Sequence, residues 1–137
     1  MPRRPVTPLL AVAALVLAAG ALAAGTTVSI NLKGGSGSRT LKACAITHHY
    51  TVYRLGARIA IAGVVRPAPK SFRAKLKVKQ CVRGKFVAIW EAGAHEGLAG
   101  AYNGVYASRR RGLFFARTYV YVGTSRFRSD KRYFQVR

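Results

Sequence analysis

The sequence predicts an all-β fold, an immunoglobulin-like antiparallel β-sandwich of about seven strands. Three observations carry that expectation. Short runs of β-branched and aromatic residues alternate with polar or basic ones. Glycine, proline and basic turns divide these runs at roughly 10–14-residue spacing. After residue 43, no segment sustains the 3.6-residue apolar period of a helix.

The elements follow in chain order. Residues 1–23 have the anatomy of a secretory signal peptide. Arg3 and Arg4 form a positive start, LLAVAALVL (9–17) an apolar centre, and Ala21-Leu22-Ala23 a small-residue cleavage site. Left uncleaved, the uncharged stretch from Val6 to Ile30 is long enough to span a bilayer, so a membrane is a partner only in that case. Residues 24–43 contain Gly34-Gly35-Ser36-Gly37-Ser38 and are expected to be a flexible linker. The sandwich domain is expected at 44–137.

Within it, the first strand is expected at 46–54, broken by Gly56. The second, 57–65, places Ile59, Ile61 and Val65 on one face before Pro67 and Pro69 end it. The third, 72–80, turns Phe72, Ala74, Leu76 and Val78 to the core, with Arg73, Lys75, Lys77 and Lys79 outward. Val82-Arg83-Gly84-Lys85 is a tight turn leading back into 86–91, where alternation puts Trp90 on the same face as Phe86 and Ala88, in the core. Residues 92–100 are expected to be a loop. Tyr102 and Tyr106 share a face in 101–107, and Arg109-Arg110-Arg111 make a basic turn. In 113–122, Phe114, Ala116, Thr118, Val120 and Val122 face one way, and Arg117, Tyr119 and Tyr121 the other. A polar loop, 123–130, and a last strand, 131–137, complete the chain.

These segments, in particular IAIAGVVRP (59–67), KLKVKQCVRGKF (75–86), GLFFAR (112–117) and SDKRYF (129–134), resemble bacterial immunoglobulin-like or fibronectin-type-III-like domains of secreted actinobacterial proteins. The resemblance covers residues 44–137 and implies a surface module, spacer or binding unit. It departs from antibody-type domains at the cysteines. It also departs at Phe114, which has no hydroxyl for a tyrosine-corner bond.

Charge and cysteines bound the function. Lys and Arg number 24 against three acids, for a net charge of +21. Removing Arg3 and Arg4 with the signal leaves +19. Such a cation seeks polyanions, and export limits these to an extracellular polyanion such as a wall polymer or anionic glycan, with no specific nucleic acid. Cys44 and Cys81 are an even pair at an oxidising address and are expected to form a disulfide. The polyanion-binding candidates are Arg73, Lys75, Lys77, Lys79, Arg109, Arg110, Arg111 and Arg117. Tyr119 and Tyr121 are the candidate aromatic contacts.

No cofactor is expected. His48 and His49 point to opposite faces of a strand, so regular geometry does not bring them to one metal. Glu91, His95 and Glu96 gather without a nucleophile or a phosphate-binding glycine motif. The chain is therefore expected to be a secreted, non-enzymatic interaction module, and a hydrolase or metal protein is disfavoured.

Overall fold

In a computed structural model of the protein, the described residues are 25–137. The expected signal segment, 1–23, lies outside them. Two sheets form a sandwich. The smaller contains β1 (Thr27–Val28), β2 (Asn31–Leu32), β5 (Arg58–Arg66), β8 (His95–Glu96) and β9 (Ala101–Ala107). The larger runs in the order β3 (Gly37–Ala43), β4 (Ile46–Tyr53), β12 (Arg132–Val136), β10 (Gly112–Val122), β6 (Arg73–Val82), β7 (Lys85–Gly93). Strand β11 (Ser125–Arg128) extends the β12 side of β10.

All seven expected strands form, but the sheets are not wholly antiparallel. Strand β12 pairs in parallel with β4 along Phe134–Val136. Their Phe134↔Thr51 to Val136↔Tyr53 register joins the last strand to the first expected one, which no hairpin connects.

The larger departure is at residues 24–43. Instead of one flexible linker, this stretch contains three strands. Strands β1 and β2 pair with β5, and Ile30 between them is fully buried in the core. Only Lys33–Ser36 lies outside a strand between β2 and β3, and it carries the chain from one sheet to the other. Its glycines serve that crossing, since Gly34 and Gly35 both have positive φ. Tertiary pairing makes strands of sequence too polar and short to read as strands.

The core lies between the inner faces. Ile59, Ile61 and Val65 of β5 and Tyr102 and Tyr106 of β9 meet Leu76 and Val78 of β6, Phe114, Ala116 and Val120 of β10, and Phe134 and Val136 of β12. Phe114 stacks on Phe134 with centroids 5.1 Å apart. Each such fully buried side chain stabilises the fold by about 1.5–3 kcal/mol relative to exposure. Burial pushes the Tyr102 phenol up to about 12, and its hydroxyl donates to the Ser29 carbonyl. Gly63 makes that contact possible, because a Cβ there would come within 2.0 Å of the Ser29 oxygen.

Cys44 and Cys81 are bridged, with Cα atoms 5.9 Å apart. Cys44 lies not at the domain entry but in the turn joining β3 to β4, where Cys44 and Ala45 both have positive φ. Strands β12 and β10 separate β4 from β6 in the sheet. The bridge therefore carries the hairpin tip across the outer side of those strands. Tyr50, fully buried, and Phe115 form a second apolar cluster there with Tyr133 and Phe86.

Two outcomes test this architecture. Replacing both cysteines by serine should lower unfolding stability by about 3–4 kcal/mol in denaturant titration, and the unreduced folded chain should expose no reactive thiol. Gly63→Ala should cost about 1–3 kcal/mol by forcing Ser29 and Tyr102 apart, read as a lower denaturation midpoint.

Candidate polyanion-binding face

Strand β6 alternates without interruption from Arg73 to Val78. Ala74, Leu76 and Val78 are buried, and Arg73, Lys75, Lys77 and Lys79 take the opposite face. The β6–β10 register sets Tyr121 opposite Arg73, Tyr119 opposite Lys75, Arg117 opposite Lys77 and Phe115 opposite Lys79. Paired residues of antiparallel strands point to the same side. On the other edge of β10, Arg128 faces Tyr119 and Arg126 faces Tyr121. Seven cations thus share the outer face of one sheet: Arg73, Lys75, Lys77, Lys79, Arg117, Arg126 and Arg128.

Like charges directly opposite one another are unfavourable, as at Lys77 and Arg117. Each turns to a different partner. Arg117 Nε donates to the Ser129 carbonyl at 2.7 Å. Lys77 Nζ lies 5.1 Å from the centre of the Tyr119 ring and 3.5 Å from Glu91 Oε2. Arg126 also lies over Tyr119, at 5.5 Å, and Arg73 over Tyr121, at 5.9 Å. The two tyrosines therefore hold cations over their faces, which is a cation–π role. Ser129 occupies the gap between β11 and β12, where its hydroxyl accepts the Thr118 N–H and its own N–H donates to the Thr118 carbonyl.

Glu91 is the acid set among these cations, opposite Lys77 on β7. Its Oε1 lies 2.8 Å from Lys75 Nζ. The hydrogen bond from Lys75 holds the Glu91 carboxyl below the usual carboxylate range, and the same bond raises the Lys75 ammonium. Both groups are well exposed, so the pair adds little to stability. Its consequence is to mask two lysines.

The other expected site residues separate. Arg109 and Arg110 line a cleft of about 400 Å³ between the two sheets, with Ile89 and Trp90 of β7 and Val105 and Tyr106 of β9. Arg111 offers its carbonyl to Gln80 Nε2 at 3.2 Å. This turn does not join the lysine row. His95 and Glu96 form β8 in the smaller sheet, where Glu96 Oε1 accepts the Ala74 N–H at 2.9 Å and borders a groove with Arg73, Lys75 and Tyr121. His48 stacks on Tyr133 at 4.0 Å, and His49 Nδ1 meets the Thr40 hydroxyl at 3.3 Å. Among the described residues, no three histidine, cysteine or acidic side chains gather as a metal site.

Trp90 is half-buried against the core, but not on the face of Phe86 and Ala88. The register slips between Val78 and Lys79, leaving Ile89 without a partner. This β-bulge turns Trp90 inward opposite Val78, while Ala88 pairs with outward-facing Lys79. Simple alternation cannot foresee such an inserted residue. Arg126 and Arg128 reach the face because Gly123-Thr124 makes a two-residue turn in the segment expected to be a loop. A glycine followed by a small hydroxyl residue was the available sign of that hairpin.

The arrangement defines a two-sheet β-sandwich with one disulfide and a basic outer face edged by aromatic rings. The soluble domain of PmoD from Methylocystis sp. ATCC 49242 (Rockwell), known from a crystal structure, is similar in fold, with a TM-score of 0.50 and 11% sequence identity. The match covers 80% of this chain and 90% of that one. At such identity the likeness is of fold alone. No protein-family model matches the chain, and no curated protein matches it in sequence.

Glu91→Gln should release Lys75 and Lys77 and so raise the salt needed to elute the protein from an anionic column. Unchanged elution would show that Glu91 does not mask the row.

Proposed function

We propose that the protein is a secreted, non-enzymatic interaction module that holds an anionic wall polymer or anionic glycan on the outer face of its larger sheet. The observation that supports this most is the register, which gathers seven cations from β6, β10 and β11 on one face, where Glu91 ion-pairs with Lys75 and Lys77. The Cys44–Cys81 bridge supports an oxidising compartment, where such bonds persist. Spacing along a strand is roughly 6.7 Å between same-face neighbours, close enough for several charges of one flexible polymer to be met together.

Recognition on this reading is electrostatic. The ring faces of Tyr119 are taken by Lys77 and Arg126 rather than left open for a sugar. The tyrosines preorganise the cations, and the cations meet anionic groups of the polymer. Binding should therefore be salt-dependent and tolerant of the polymer's sugar identity.

A variant carrying Lys75→Gln, Lys77→Gln and Lys79→Gln should keep its fold, since all three side chains lie on the outer face. Its retention on a wall-derived anionic polymer should weaken. By analogy with phosphate contacts in nucleic-acid complexes, the slope of log affinity against log salt should fall by about one for each lysine that makes a contact. Identical slopes for the variant and the parent would remove the lysine row from the binding surface.

A further inference from the structure

The sandwich has a side where both sheets end. Among the described residues, β7 pairs with β6 alone, so its other edge is open. The two residues of β8 cover Tyr102 and Asn103 of β9 and leave residues 104–107 with β5 as partner. The cleft of about 400 Å³ that carries Arg109 and Arg110 lies between these two edges. The bulge at Ile89 gives it an aromatic wall, because it turns Trp90 inward onto Tyr106, with ring centroids 5.2 Å apart. Tyr106 is buried, but Ile89 and Trp90 are only half-buried and Val105 is 44% exposed. Apolar surface is therefore left facing water along the cleft.

The cations follow directly on the end of β9. Ser108, fully buried, donates both its hydroxyl and its N–H to the Ala57 carbonyl, each at 2.9 Å. Those bonds anchor the chain where it leaves the strand for Arg109 and Arg110. Burial pushes the Tyr106 phenol up, and the charge of Arg110 opposes that rise, so this guanidinium acts on the aromatic wall. Among the described residues, no acid lines the cleft, and Glu91, beside Trp90, faces outward to Lys75 and Lys77. An apolar slot ending in cations that no carboxylate neutralises is complementary to a molecule with an apolar body and an anionic head. We infer that this cleft binds a small anionic amphiphile, an alkyl chain ending in a carboxylate, with the chain along Ile89, Trp90 and Val105 and the head at Arg110. The site is separate from the basic face and does not rest on the polymer reading.

Trp90 is the chain's one tryptophan, so its fluorescence reports on this cleft. Hexanoate, octanoate, decanoate and dodecanoate can be titrated into the folded chain below their micelle thresholds, with alkyltrimethylammonium ions of matched chain length as controls. A saturable change in Trp90 emission is expected with the alkanoates and not with the cationic controls. Each added methylene that enters the cleft should tighten binding about threefold, until the cleft is full. Arg110→Gln, at an exposed position, should weaken decanoate binding about tenfold, the scale of one lost charge-assisted bond. Lys42→Gln removes one exposed charge from β3, at the opposite edge of the larger sheet, and should bind as the parent does. Emission that drifts without saturating, or equal binding of the cationic controls, would overturn the site. Equal weakening in Arg110→Gln and Lys42→Gln would overturn it too, by showing that binding follows net charge alone.

Discussion

Eight consecutive pairs between β6 and β10, from Arg73↔Tyr121 to Gln80↔Phe114, hold the molecule in its working arrangement. On the inner side they align Ala74, Leu76 and Val78 with Val120, Thr118 and Ala116. On the outer side the same pairs align the cationic row with Tyr121, Tyr119, Arg117 and Phe115. Side chains alternate with a period of two, so a slip of one residue would bury the lysines and expose Leu76. Desolvating unpaired ammonium groups is far too costly for that alternative to compete. The core and the basic face are therefore two readings of one register.

The charge is accommodated almost without acids. Backbone carbonyls take Arg117 and Arg132, aromatic rings take Lys77, Lys79, Lys131, Arg73 and Arg126, and one carboxylate takes Lys75 and part of Lys77. Repulsion between neighbours about 6.7 Å apart along a strand is only about 0.6 kcal/mol in water, less in salt. Neutral partners leave most of the positive potential pointing outward. The disulfide makes a related contribution by tying the β3–β4 hairpin over the outer end of the sheet, where Phe115 and Tyr50 would otherwise meet water.

Parts of this were legible residue by residue. The SFRAKLKVKQC stretch (71–81) shows its buried and wet faces by alternation, and Arg83-Gly84 shows its turn because, of two positions with positive φ, the second carries the glycine that takes it most readily. The Cys44–Ala45 turn needs positive φ at both positions but carries neither glycine nor asparagine, so the β3–β4 hairpin left no local sign. The bulge at Ile89 likewise has no marker in its own residues, and it alone separates the faces of Trp90 and Phe86. The site was partly visible. Arg73, Lys75, Lys77, Lys79, Arg117, Tyr119 and Tyr121 were all assigned to outer faces, but nothing local says that Arg126 and Arg128 join them while Arg109 and Arg110 do not.

By itself the sequence determined the all-β class, the two faces of β6 and β10, and a charge so one-sided that an anionic partner is the natural expectation. Those properties are local, because alternation, turn chemistry and net charge need no knowledge of distant residues. Tertiary structure alone decided that residues 27–43 join the sheets, that the chain's last strand runs parallel to β4, and that the cations of β6 lie beside Arg117 of β10. Each of these depends on pairing between segments far apart in the chain. Such pairing is chosen by the burial and backbone hydrogen bonding of the whole sandwich rather than by any one stretch.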